Sequence, residues 1–121
     1  MKKMAIDTKK LEKFKMSQTA DLINIKAHIG EIFTVIDWEF TEYNDVNDGS
    51  YHNVLALKIS DGNIYRTEVG AFKDKFKKYV EYFGDEKPED RPRIKIIGRK
   101  SKKNNDYVNF VLLDEDGNEV G

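Results

Sequence analysis

Three stretches of the chain carry a hydrophobic rhythm strong enough to name an element. Ile36, Trp38 and Phe40 alternate with Asp37, Glu39 and Thr41, and Ile32-Phe33-Thr34-Val35 runs into them without a break. β-Branched and aromatic residues at a period of two suit a pleated, half-buried surface, so one long strand is predicted from Ile32 to Tyr43. Asn44 to Ser50 reads as a turn, because its Asn, Asp and Gly residues tolerate the backbone angles of a reversal. The alternation resumes from Tyr51 to Ser60, with Tyr51, Asn53, Leu55, Leu57 and Ile59 on one side and His52, Val54, Ala56 and Lys58 on the other. Asp61-Gly62 supplies a compact turn into a third strand, Asn63 to Val69, and the pair is predicted to form a hairpin.

The period then lengthens. Phe72, Phe76, Val80 and Phe83 fall on one helical stripe, which predicts a helix from Ala71 to about Phe83. Gly84 stops it, and the two prolines of the polar stretch Asp85 to Pro92 bar regular structure there. Arg93 to Arg99 and Tyr107 to Leu113 are the fourth and fifth predicted strands, joined by the polar connector Lys100 to Asp106. The acidic end, Asp114 to Gly121, is expected to fray. Near the start, Leu11 and Phe14 among Lys9, Lys10, Lys13 and Lys15 fit a short amphipathic helix capped by Asp7 or Thr8. Leu22, Ile23 and Ile25 suit a strand or a helical turn equally.

After Gly30 the order is therefore long strand, strand, strand, helix, strand, strand. This order resembles the OB-fold, a five-stranded Greek-key barrel, here with a helix between the third and fourth strands. The resemblance implies a mainly β fold with helices: a barrel over residues 31–113, a partly helical extension over 1–30 and an acidic tail over 114–121. An SH3-like barrel with an added helix, or an open sheet, also accommodates these elements. Among OB-folds of this size the chain is similar to single-stranded-DNA-binding proteins of bacterial phages and mobile elements. That likeness implies cytoplasmic, non-sequence-specific binding of single-stranded DNA during replication or recombination. It leaves the N-terminal thirty residues to cap the barrel, to form a homo-oligomer or to reach a replication or recombination protein.

Charge changes this picture locally. The 21 Lys and Arg nearly balance 22 Asp and Glu, for a net of -1, which excludes a uniformly basic binder. Residues 1–30 carry seven basic and three acidic side chains, and residues 31–60 carry one and six. In the last segment every basic residue lies between Arg91 and Lys103, and every acidic one lies at or beyond Asp106. The absence of cysteine removes disulfides, thiolate metal sites and a cysteine nucleophile. No apolar run reaches the roughly 20 residues of a spanning helix, so no membrane role is expected.

Binding a single strand takes cations to replace phosphate counterions and aromatic faces on which bases stack. The resemblance places such residues on the second and third strands and in the loops joining the first to the second and the fourth to the fifth. The second and third strands offer Tyr51, Lys58, Tyr65 and Arg66, the connector offers Lys100, Lys102 and Lys103, and Arg93, Lys95 and Arg99 of the fourth strand and Tyr107 of the fifth lie on either side of it. Trp38 has two readings, core packing or stacking at the barrel mouth. Phe33, Phe72, Phe76, Phe83 and Phe110 are assigned to the core, as phenylalanine usually is. Glu39, Glu42, Asp45 and Asp48 would repel phosphate, which confines binding to the side bearing the loop between the fourth and fifth strands or leaves it modest and salt-sensitive.

Catalytic signals are sparse. His28 and His52 are not spaced as metal ligands and have no evident carboxylate partner in sequence. No phosphate-cradling glycine loop or nucleophile elbow occurs. The expectation is a binding protein, neither an enzyme nor a holder of cofactor or metal. The competing class is a protein-interaction module or inhibitor on the same scaffold. It would use the acidic stretch Asp37 to Asp48 and the N-terminal helix.

Overall fold

The alternation of Tyr51–Ile59 (β4) organises the molecule, because its two sides meet different partners. Leu55, Leu57 and Ile59 face the core, while Val54 and Ala56 are buried on the opposite side. The computed structural model describes residues 7–18 and 22–121. Within them lie helix Thr8–Ser17 (α1), strand Ile23–Asn24 (β1), a 3-10 turn Ile25–His28, and strands Ile32–Phe33 (β2) and Val35–Asn44 (β3). After β4 come strand Ile64–Thr67 (β5), helix Gly70–Phe83 (α2), a 3-10 turn Pro88–Asp90, and strands Ile94–Lys100 (β6) and Asp106–Leu112 (β7).

The expected barrel does not form. The described residues make a mixed α/β fold of two open sheets, one ordered β1-β5-β4-β3 and the other β2-β6-β7. The long predicted strand serves both, since β2 pairs with β6 and β3 with β4. Closure would need β7 to bond to β5, but the free edge of β5 is already occupied. There β1 runs parallel to it, with Ile23 opposite Tyr65 and Asn24 opposite Arg66. The segment that suited strand and turn equally is thus both, and its two strand residues keep the sheets apart.

The switch between sheets is a bulge at Val35/Asp37. A bulge strands carbonyls, and Arg91 supplies the donors. Its Nη1 donates to the oxygens of Val35 (3.1 Å) and Ile36 (3.4 Å), and Nε and Nη2 donate to Phe83 and Gly84 at the end of α2. The guanidinium also lies 4.9 Å from the Trp38 ring centre. No local pattern around Arg91 announces this role.

The core lies between the sheets under α2. Phe72 packs on Phe110 (4.8 Å) and Phe76 on Tyr79 (5.2 Å), all fully or nearly buried. Each such burial contributes about 1.5–3 kcal/mol. The inward stripe of α2 is Phe72, Phe76 and Tyr79, with Val80 and Phe83 half-buried beside it. The Tyr79 hydroxyl donates to the Pro92 oxygen (2.9 Å), and burial pushes its pKa up to about 12. A Cβ at Gly84 would stand 2.5 Å from the Val80 oxygen, so glycine is required where the chain leaves the helix.

Helix α1 begins as expected, with Asp7 accepting from the amides of Lys9 and Lys10. It lies against β3 and β4, but Leu11 and Phe14 face solvent and Met16 is the residue it buries. Charge pairs complete the seat: Lys58 with Glu12 (2.8 Å) and Lys13 with Asp37 (2.8 Å) and Glu39 (3.7 Å). The acidic end folds back instead of fraying. Asp114 accepts from the amides of Asp116 and Asn118, and the Val120 amide donates to the Leu112 oxygen. Among the described residues no helix is long and apolar enough to cross a membrane.

Candidate nucleic-acid interface

Because the sheets stay open, a groove runs along their seam between β1/β5 and β7. One half, about 350 Å³, is lined by Lys26, Ile29, Gly98, Arg99, Lys100, Asp106, Tyr107 and Val108. The other, about 340 Å³, adds Asn24 and Arg66–Val69 and shares Lys26, Asp106, Tyr107 and Val108. Clefts of this size with an apolar floor and a few convergent polar groups are where small ligands and parts of polymers bind.

The backbone fixes the walls. Arg99 and Tyr107 are opposite each other in the β6–β7 register, as are Lys100 and Asp106. The Gly30 amide donates to the Ile96 oxygen (2.7 Å), which holds Ile29 beside β6, and Gly30 takes φ +96°, a conformation glycine adopts without penalty. The connector Ser101–Asn105 closes tightly through Ser101 N–H to the Asn105 oxygen, with Asn104 at φ +63°. Lys102 and Lys103 project from it into solvent.

Electrostatically the groove carries Lys26, Arg66, Arg99 and Lys100 against Asp106 and Glu68. Among the described residues no carboxylate lies within 4.0 Å of the cationic nitrogens of Lys26, Arg99, Lys100, Lys102 or Lys103. Arg66 approaches Glu68 at 4.0 Å, and its Nε is buried without an acceptor. Lys75 of α2 donates to the Phe110 oxygen (2.6 Å). Burial, and then the nearby Arg99 charge, hold its amine below the ordinary lysine value.

Of the residues singled out from sequence, Arg66, Arg99, Lys100 and Tyr107 meet here, and Lys102 and Lys103 flank them. The others lie elsewhere. Tyr65 is core, stacked on Phe33 (4.7 Å) and edge-on to His28 (4.8 Å). Trp38 is half-buried against Phe76, with Arg91 4.9 Å and Lys13 5.6 Å from its ring centre, and it lines neither half of the groove. Lys58 is taken by Glu12, and Lys95 lies 3.8 Å from Glu119. Arg93 lines a separate cavity whose Glu89, Asp90, Asp114 and Glu115 oppose an anion. Tyr51 is exposed at the start of β4, opposite Asn44, and lines neither half of the groove. Lys26 and Ile29 were missed, since nothing in sequence brings that segment beside β6.

Both histidines do have carboxylate partners. His28 pairs with Glu31, and His52 joins Ser50 Oγ (Nε2, 3.0 Å) to Glu68 (Nδ1, 2.8 Å). The second chain has the connectivity of a nucleophile relay, which also requires donors for an oxyanion. The nearest amides are committed: Ser50 N–H donates to Asp48, and Gly49 N–H to the Asp45 oxygen. Hydrogen bonds from Ser50 hold the Asp48 carboxyl below its ordinary range, which keeps a negative charge beside the hydroxyl. The arrangement ties the Asn44–Ser50 turn to the segment after β5.

Comparison with protein families, curated proteins and solved structures finds no match to this chain.

Proposed function

We propose that the protein binds single-stranded nucleic acid, and DNA foremost, along the seam groove. The observation that supports this reading is that Lys26, Arg66, Arg99 and Lys100 line one groove with the half-buried Tyr107. The cations displace counterions from phosphate, and the ring offers a face to an unpaired base. A duplex keeps its bases stacked inside and has none to offer Tyr107. The setting would be cytoplasmic, on strands exposed in phage or mobile-element replication or recombination.

Fluorescence anisotropy of a labelled thirty-nucleotide oligo-dT at two salt concentrations tests the reading, with a duplex of equal length as control. Single-strand binding that weakens with salt, by a log–log slope of about 0.7 per phosphate contact, is the expected result. No binding at low salt overturns it. Contact with a protein partner is the second reading, and the observation in its favour is the exposure of Leu11 (43%) and Phe14 (63%) on α1.

A further inference from the structure

Asp106 and Gly98 of the groove do not serve phosphate binding. Asp106 lines both halves, and among the described residues no Lys, Arg or His nitrogen lies within 4.0 Å of its carboxylate. A free carboxylate among cations repels phosphate, but it accepts hydrogen bonds from a base. Gly98 sits in the interior of β6, opposite Val108, without a positive φ. Its backbone conformation does not call for glycine, and glycine weakens a strand. A Cβ there would meet only the Cδ1 of Ile29, at 3.4 Å. What glycine does here is keep the floor of the 350 Å³ compartment open.

We propose that this compartment holds one nucleobase bearing an exocyclic amino group, which donates to Asp106 while Lys26, Arg99 and Lys100 take the flanking phosphates. The inference rests on the single-strand reading above. The carboxylate discriminates because cytosine presents an amino donor, whereas thymine presents two carbonyl oxygens around a single N–H.

The test titrates the full chain, Asp106→Asn and Gly98→Val with labelled oligo-dC and oligo-dT of equal length, at one salt concentration and pH 8. The unmodified protein should favour oligo-dC by about tenfold. Asp106→Asn should bring that ratio close to one while tightening both complexes, because a repulsive charge is gone. Gly98→Val should weaken both and remove the preference. If its melting temperature falls, Gly98→Ala, whose Cβ fits beside Ile29, takes its place. Equal affinity for the two oligonucleotides, or a ratio unchanged in Asp106→Asn, overturns the base compartment and leaves strand binding standing. Failure to bind either overturns strand binding itself, and this inference with it.

Discussion

The outer face of β3 and β4 and the seam groove hold similar side chains in opposite states. Under α1, Lys13 and Lys58 are matched by Asp37, Glu39 and Glu12, so charges far apart in sequence are paired there by packing. At the seam, Lys26, Arg99 and Lys100 line the groove with Tyr107 and have no such partners among the described residues, while Glu119 of the last segment lies beside Lys95 of β6. Net charge near zero is therefore no measure of what a ligand would meet. Cancellation is local, and it differs from one face to the other.

The contrast can be broken in order of effect. Tyr65→Ala should destabilise the fold by about 3–5 kcal/mol in urea unfolding, as removal of a buried ring does, whereas Tyr107→Ala should leave the midpoint nearly unchanged and weaken oligo-dT binding by about 1–3 kcal/mol. Equal unfolding costs would erase the distinction between core and groove. Next, reversing Lys100, Lys102 and Lys103 together to glutamate should weaken binding by about one to two orders of magnitude at low salt. It should also flatten the salt dependence, by about 0.7 per lost phosphate contact, with an unchanged circular dichroism spectrum.

The smallest effect belongs to the neutralised face. The hydrogen bond and charge of Lys58 hold the Glu12 carboxyl below its ordinary value of 4.5. A depressed folded pKa gives stabilisation that is present above that value and lost as pH falls through the folded pKa. Melting temperatures should accordingly dip slightly in acid, below about pH 4.5. Glu12→Gln should remove that part of the pH dependence and leave oligonucleotide affinity at neutral pH unaltered.

The hairpin and α2 were legible because period two and the four-residue spacing report which side is apolar. The side on which Tyr65 falls was not. A two-residue turn at Asp61-Gly62 would oppose Tyr65 to Lys58, on the outer face. The chain instead closes through Gly62 N–H to the Ile59 oxygen and Ile59 N–H to the Asn63 oxygen, with Gly62 at φ +89°. That three-residue loop moves the register by one, sets Tyr65 opposite Leu57 and turns it into the core. Reading Gly62 as a bulge glycine would have found this. Barrel closure, by contrast, hinges on two residues, Ile23 and Asn24, pairing with a strand some forty positions away, and no local pattern encodes such a contact. The groove inherits that opacity, because it exists only where closure fails.

An open seam has one more consequence. Among the described residues no strand pairs with the outer edge of β7, where Lys75 and the Val120 amide already take the Phe110 and Leu112 oxygens, and the stretch about Val108 that remains is a template for another copy of the chain. The cations of the adjoining groove would then also keep copies apart, because two molecules approaching edge to edge bring like charges together. Salt that loosens a bound strand also screens this repulsion. The ligand-free protein at high ionic strength is the state in which the molecule is most exposed to self-association.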